Sequence, residues 1–212
     1  MSACKSGNLM LVMLTIQQKV AVNHNAGWGL RRAVRYNNPQ VWRYLLAQED
    51  IQVNLANESG QSALHTACRF NILEAVSDLL GHPNILLNKK SDLGSSPIMV
   101  AAKYCSKEAF GAVIEDKRAD LETVDNQGRT IEEVVGNATN TANDDDKNLI
   151  VECLIKECEF RKKATESELF LENEKGPYLG RKEDMNFHNS EFQTLKRPDS
   201  VMSIFDEGYF TD

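Results

Sequence analysis

The sequence lacks paired cysteines. Its five cysteines form an odd set with no CxxC pair, and they lie far apart at Cys4, Cys68, Cys105, Cys153 and Cys158. A disulfide framework or a zinc site would need an even number or a tighter spacing. We therefore expect reduced thiols that serve as small hydrophobic side chains, in a protein of the cytoplasm or the nucleus.

Long apolar runs are also absent. A membrane-spanning helix needs about 20 consecutive apolar residues, and no stretch of the 212 residues approaches that length. Residues 9–16 resemble the apolar core of a signal peptide, but they fit a repeat helix better. We expect no membrane contact and no targeting segment.

There is no basic excess. Lysine and arginine total 24 against 31 acidic residues, which gives a net charge of −7. Residues 164–212 hold 11 of the acidic and 5 of the basic residues, so residues 1–163 hold 20 and 19. The body is nearly neutral and the acidity lies in the C-terminal segment. This composition argues against direct binding to nucleic acid.

Motifs of catalysis and cofactor binding are missing as well. We find no phosphate-binding glycine loop, no paired carboxylates and no Ser/His/Asp arrangement in a typical context. His65 has only Ser62 nearby as a nucleophile, and residues 144–146, Asp-Asp-Asp, lack the glycine and distal glutamate of a calcium loop. We expect a solvated acidic loop there, and we expect no cofactor, no metal and no small-molecule substrate. An enzyme remains a minor alternative.

A period of 34 residues organises the chain, and such self-similarity indicates a repeat architecture. The columns that keep this spacing are Gly60, Gly94 and Gly128; Ala33, Ala67 and Ala101; Leu30, Leu64 and Ile98; Leu45, Leu79 and Val113; and Leu46, Leu80 and Ile114. Asn54 and Asn88 form a further column. Five independent columns at one period predict a stack of similar units.

Each unit reads as a turn, a short helix, a tight connection and a second helix. In residues 57–90, Gly60 supplies a turn that requires positive φ, and Asn71 can end the first helix in a left-handed conformation. Residues 72–80 then place apolar side chains on one helical stripe. The Gly-His-Pro-Asn sequence of residues 81–84 ends that helix.

Two segments carry a family resemblance. Residues 62–67, Ser-Ala-Leu-His-Thr-Ala, resemble the ankyrin signature T-P-L-H-x-A, and residues 96–101 are a looser copy. Residues 3–9, Ala-Cys-Lys-Ser-Gly-Asn-Leu, resemble the junction between the two helices of such a repeat, although the unit after it is about three residues short. The last unit departs from the pattern at Glu132, which suits a terminal repeat whose outer face meets water, and its second helix resumes near Lys147.

The resemblance implies an all-α ankyrin-repeat solenoid of about four repeats with a partial N-terminal repeat, over residues 1–163. It also implies that His65 belongs to a hydrogen-bond network tying neighbouring turns together. Residues 164–212 share no repeat column and are charged and interrupted by glycine and proline. We expect them to be a disordered acidic tail.

Family behaviour places binding on the concave face, on the turn tips and the exposed ends of the first helices. Two adjacent columns stand out there, one basic and one aromatic, which suits a partner segment with carboxylates and apolar side chains. Packing at the repeat ends is an alternative role for both columns. The predicted partner-binding residues are Arg35, Tyr36, Glu58, Ser59, Gln61, Arg69, Phe70, Asp92, Leu93, Ser95, Lys103, Tyr104, Asn126, Gln127 and Arg129.

The function we predict is a protein-binding module, an adaptor or inhibitor that captures a segment of a partner protein. The alternative is a structural piece of a larger repeat assembly. The end of the tail adds a hypothesis, because its acidic and aromatic residues could occupy the basic and aromatic face in cis. The residues of this possible motif are Ser200, Ser203, Phe205, Tyr209 and Phe210, and phosphorylation of either serine would add charge.

Overall fold

A computed structural model describes residues 2–17, 23–138 and 144–174, and all of the regular structure in these ranges is helical. The ten helices, in chain order, are α1 (Ser2–Ser6), α2 (Leu9–Gln17), α3 (His24–Arg35), α4 (Pro39–Leu46), α5 (Ala63–Arg69), α6 (Leu73–Leu80), α7 (Pro97–Lys103), α8 (Lys107–Ile114), α9 (Ile131–Gly136) and α10 (Asp144–Glu174). They form five pairs along the described chain.

The pairs stack in sequence order. Each first helix packs on the first helix of the next pair, from α1 through α3, α5 and α7 to α9. The second helices pack in the same way from α2 to α10. The result is two layers of helices in which a 34-residue step along the sequence becomes one step along the stack, as the resemblance predicted.

The columns define the core. Ala33, Ala67 and Ala101 are fully buried between successive first helices. The apolar columns at Leu30 and Leu45, with their counterparts in the later units, are also buried in the same cluster. Small alanines let neighbouring helices approach closely, while the larger side chains fill the space between the layers.

Every connection within a pair turns at a left-handed residue. Gly7, Asn37, Asn71 and Cys105 have φ values of 70°, 53°, 54° and 50°, and the prediction for Asn71 is confirmed. The residue that follows each of the last three donates its backbone N–H back into the first helix, as Asn38 does to the Ala33 carbonyl at 2.9 Å. This bond satisfies a carbonyl at the end of the helix.

Asparagines join neighbouring units on the other side. The Asn88 amide donates to the Arg118 carbonyl at 2.7 Å and accepts from the Asp120 N–H at 3.0 Å. Asn54 makes the same pair of bonds to residues 84 and 86, and Asn23 makes them to residues 50 and 52. Asn23 lies three residues later than the 34-residue column requires, so the predicted shortening of this unit is confirmed.

The last pair differs from the prediction in its second helix. We predicted a restart near Lys147 after an acidic loop, but α10 begins at Asp144 and contains the three aspartates in its first turn. Carboxylates there interact favourably with the positive end of the helix, and Asp146 also pairs with Lys107 at 2.9 Å. The prediction of a loop at these residues was wrong because their helix-starting preference outweighs the polarity of the segment.

Other features of the last pair agree with expectation. Ile150, Cys153 and Leu154 are buried, and Glu132 is exposed at the position where earlier units carry an apolar residue. The predicted domain boundary after residue 163 falls inside α10, which continues to Glu174. The predicted tail beyond that point, with its candidate motif, lies outside the described residues.

Arg161 ties α10 to the preceding pair. Its guanidinium donates to the carbonyls of Ile114, Asp116 and Ala119 at 2.8, 3.0 and 2.6 Å. It also bonds Glu157, one turn earlier, at 3.0 Å. In this way one side chain satisfies carbonyls at the end of α8 and in the loop that follows it.

In the part of the chain that the structure describes, no helix has both the length and the apolar character to cross a membrane.

Candidate functional site

The turn tips form a second row of contacts between units. Gly60, Gly94 and Gly128 have φ values of 72°, 78° and 75°. The Asp92 N–H donates to the Ser59 carbonyl at 3.1 Å, and the Asn126 N–H donates to the Leu93 carbonyl at 3.2 Å. Neighbouring tips are therefore held in register beside the first helices.

His65 connects a helix start to the next tip. The Ser62 backbone N–H donates to Nδ1 at 3.2 Å, so this nitrogen is an acceptor, and Nε2 donates to the Ser95 carbonyl at 3.1 Å. Burial lowers the pKa of the imidazole, which keeps it neutral and in this tautomer. The predicted network role of His65 is confirmed.

The last unit caps its first helix in a different way. The Thr130 N–H is bonded by the Glu133 carboxylate at 2.9 Å, and the Glu133 N–H donates to the Thr130 hydroxyl at 3.3 Å. This is a capping box. Glu133 stands 68 residues after His65 in the same column, so one position starts two helices with different chemistry.

The basic and aromatic columns interleave into one ladder. Arg35 lies 6.0 Å from the ring centre of its neighbour Tyr36 and 5.5 Å from that of Phe70 in the next unit. Arg69 lies 5.7 Å from Phe70 and 4.8 Å from Tyr104. Lys5 over Tyr36 and Lys103 over Tyr104 extend the series at its ends. We call these seven residues the cation–aromatic ladder.

The geometry of the ladder explains why both columns repeat. Each cation at an inner rung contacts two rings, one from each neighbouring unit, at separations typical of cation–π attraction. Tyr36 and Phe70 nevertheless remain about two-fifths exposed, at 41% and 43%. The rings therefore contribute to packing, one of the two roles that the sequence left open, and still present surface to solvent.

A groove opens beside the ladder between α3, the tip at residues 57–61 and α5. Its volume is about 360 Å³. Seven of the predicted partner-binding residues line it, namely Arg35, Tyr36, Glu58, Ser59, Gln61, Arg69 and Phe70. Residues separated by 35 positions in the sequence thus share one surface.

Sequence analysis missed part of this groove. Trp28, Arg31, Arg32, Asn57 and Thr66 also line it. Arg32 stacks on Trp28 at 3.9 Å, the shortest of the cation–aromatic distances among the described residues. The signal was the Trp-Gly-Leu-Arg-Arg sequence of residues 28–32, which places an aromatic and two cations in the slot of a weak signature match.

The remaining predicted residues lie on later tips and helix ends, outside this groove. They are Asp92, Leu93, Ser95, Lys103, Tyr104, Asn126, Gln127 and Arg129. Leu93 is exposed, while the Ser95 carbonyl and the Asn126 amide bond neighbouring tips. Arg129 pairs with the buried Asp125 of its own tip at 2.6 Å.

The Arg129 pair affects titration of the tip. Burial acts to raise the pKa of Asp125, but hydrogen bonds from the Arg129 side chain and from the backbone outweigh it, and the net pKa is lowered. The structure therefore gives Arg129 a role in holding its tip together.

The groove is strongly basic for a nearly neutral body. Four arginines and one glutamate line it, a local charge of +3. Burial, and then the neighbouring charge of Arg32, lower the pKa of Arg31, which reflects crowded positive charge. This arrangement favours an occupant with carboxylates and apolar groups.

The thiols have a different environment. Cys4, Cys68 and Cys153 are buried in the core, as expected for cysteines that act as small hydrophobic side chains. Burial raises the pKa of Cys68 to about 12 and that of Cys153 to about 11, so neither thiol ionises readily. Within the described ranges, no group of three or more histidine, cysteine or acidic side chains is arranged to hold a metal ion.

Comparison with known families decides the identity of the stack. The model for ankyrin repeats in three copies matches residues 1–91. Over these residues the chain belongs to the ankyrin-repeat family. No curated protein matches the chain.

Ankyrin repeats are generally modules for protein–protein interaction, and the family is typically non-enzymatic. The groove lies within the matched segment, in the α3–α4 and α5–α6 pairs. The two later pairs continue the ankyrin pattern in their left-handed connections and glycine tips.

Proposed function

We propose that this protein captures an extended acidic segment of a partner protein in the groove between α3, the tip at residues 57–61 and α5. The segment would carry aromatic or large apolar side chains among its carboxylates. Such capture would serve an adaptor or an inhibitor. The observation that carries the proposal is the cation–aromatic ladder beside a groove with four arginines.

The chemistry of the groove favours this class of ligand. Arginine guanidinium groups bind carboxylates with two directed hydrogen bonds. Exposed faces of Trp28 and Phe70 offer apolar contact area, and aromatic and arginine side chains dominate the binding energy of many interfaces. Because the cations already stack on rings, they are held in place before the ligand arrives, which lowers the entropy cost of binding.

The same observations support binding over catalysis. Both ring nitrogens of His65 are occupied by structural hydrogen bonds, and the imidazole is buried away from the groove lining. We also propose residence in the cytoplasm or the nucleus, on the basis of the high thiol pKa values and the scattered free cysteines.

A peptide series tests the ligand class. Four synthetic peptides of equal length are titrated into the full chain: acidic with aromatics, acidic without aromatics, neutral with aromatics, and basic with aromatics. We expect the acidic aromatic peptide to bind at least tenfold more tightly than each of the others, since only it satisfies both the cations and the rings. Equal binding of the basic aromatic peptide would contradict the proposal.

Charge reversal locates the site. The variant Arg35→Glu with Arg69→Glu should weaken binding of the acidic aromatic peptide by more than tenfold. The matched control is Lys117→Glu with Lys162→Glu, which changes the net charge by the same amount at exposed positions outside the groove. Equal loss in both variants would mean that total charge, and not the groove, governs binding. A single-stranded oligonucleotide serves as a further competitor, and tighter binding of it than of the peptide would reverse the choice of ligand.

A further inference from the structure

The N-terminal end of the stack exposes an apolar helix face. Met10, Leu11 and Leu14 on α2 are 77%, 43% and 49% exposed. Their spacing places them on one side of the helix. The nine residues of α2, Leu-Met-Leu-Val-Met-Leu-Thr-Ile-Gln, include no charged side chain. Apolar patches of this kind mark association surfaces.

Hydrogen bonds fix how α2 corresponds to the later second helices. The Asn8 N–H donates to the Ala3 carbonyl at 3.1 Å, as the Asn38 N–H donates to the Ala33 carbonyl at 2.9 Å. Residues of α2 therefore correspond to residues of α4 thirty positions later. Leu11 corresponds to Val41, and then to Ala75 and Ala109 in the following pairs.

These counterparts show what the column does elsewhere. Val41, Ala75 and Ala109 are all fully buried, and each belongs to a second helix that packs on the second helix before it. Leu11 occupies the same column in the first described pair, where no described helix covers it. Met10 corresponds to Gln40, Glu74 and Glu108, so α2 also carries an apolar residue where the later helices are polar.

The opposite end of the stack has a different surface. Glu132, Glu159 and Lys162 are exposed there, as expected for a terminal repeat with a polar outer face. Stacking the α2 face of one molecule on this end of another would desolvate these charges without partners. It would also generate an open-ended filament instead of a closed assembly.

We propose that the α2 face is a self-association surface, on which a second copy of this chain docks with its own α2 face across a two-fold axis. The apolar residues then cover one another. Because α2 has no charges, the two copies meet without repulsion between like charges on this helix. A two-fold interface needs a self-complementary surface, and an uncharged apolar helix face meets that condition.

The contact is small, so the dimer should be weak. Three exposed side chains per copy fall well short of the roughly 800 Å² per partner of a standard stable interface. We therefore expect monomers at about 1 µM and mostly dimers at about 200 µM, measured for the full chain by sedimentation velocity and equilibrium.

Two matched variants locate the interface. Leu11→Glu with Leu14→Glu should remain monomeric at all concentrations, because dimerisation would bury four unpaired carboxylates. Leu86→Glu with Val124→Glu replaces two other exposed apolar residues and should dimerise like the wild type. Circular dichroism of both variants confirms that the helices are retained.

Three results would overturn the proposal. The first is a wild-type chain that stays monomeric at about 200 µM. The second is a Leu11→Glu, Leu14→Glu variant that still dimerises. The third is a series of larger polymers in place of a dimer, which would indicate head-to-tail stacking.

Discussion

Gly60 lies directly against Asp92, the corresponding part of the next tip. A Cβ atom at Gly60 would stand 2.6 Å from the Asp92 backbone nitrogen and 2.5 Å from its Oδ1. The glycine is thus required twice, by its positive φ and by the close approach of the neighbouring unit. At Gly128, the last tip, only the φ requirement remains, since nothing would lie within 4 Å of the added atom.

Alanine at these two glycines should separate the two effects. Gly128→Ala should cost about 1–2 kcal/mol of unfolding free energy, the cost of a left-handed residue with a Cβ. Gly60→Ala should cost about 1–3 kcal/mol more, since the added atom overpacks the contact with the next tip. Urea unfolding of both variants measures this difference. Equal losses would show that the tips do not press on each other as described.

Replacement of Arg161 should uncouple α10 from the α7–α8 pair. Its guanidinium bonds three carbonyls and the Glu157 carboxylate, which is only 2% exposed. We expect Arg161→Ala to lower the unfolding free energy by about 3 kcal/mol, because a buried carboxylate loses its cation. Adding Glu157→Leu should restore part of the loss.

The control for this prediction is Lys162→Ala, the exposed neighbour, which should change stability by less than about 0.5 kcal/mol. If Arg161→Ala behaved like this control, the guanidinium would have no structural role. Urea unfolding followed by circular dichroism serves for all three variants.

His65 predicts a specific pH dependence. Its pKa in the folded chain lies below the ordinary value of 6.5 because of burial, so the unfolded chain binds the proton more readily. This contribution to stability is fully present above about pH 6.5 and is lost as the pH falls toward the folded pKa. The lowered pKa values of Asp116 and Asp125 act in a more acidic window, below their ordinary value of 3.8.

The measurement compares wild type with His65→Gln, which cannot titrate. Between pH 7.5 and 5.5 the wild type should lose more stability in urea than the variant loses. Parallel curves over this range would indicate that the imidazole is accessible to protons in the folded state.

The acidic, aromatic end of the tail supplies a prediction about competition. If residues 200–212 occupy the groove in cis, their deletion should raise the affinity for the acidic aromatic peptide by about tenfold, since a tethered competitor acts at millimolar concentration. Replacing Phe205, Tyr209 and Phe210 with serine should have the same effect. Unchanged affinity in both variants would show that the tail does not compete for the groove.

Sequence periodicity was sufficient for the stack and for half of the groove. Columns such as Ala33, Ala67 and Ala101 repeat because each unit meets the same neighbour, so a step in sequence becomes a step in space. The rows of Arg35 and Tyr36 follow from the same rule. Their alternation into one ladder did not follow, because it depends on how far each side chain reaches into the next unit.

Other features leave no periodic trace. Arg161 contacts carbonyls more than 40 residues earlier in the chain, and no local pattern indicates such a partner. Trp28 and Arg32 occur in one unit only, so no column calls attention to them. The exposure of Leu11 depends on which helices surround α2, and it becomes evident only when the pairs are stacked.

The most direct test of the groove uses Trp28. It lines the groove and is partly exposed, whereas Trp42, the other tryptophan of the chain, is fully buried. Acrylamide quenching of tryptophan fluorescence is recorded with and without the acidic aromatic peptide, in wild type and in Arg35→Glu with Arg69→Glu. We predict that the peptide shields Trp28 in the wild type and not in the variant. Quenching that stays the same in the wild type when the peptide is bound would place the ligand elsewhere and contradict the proposed site.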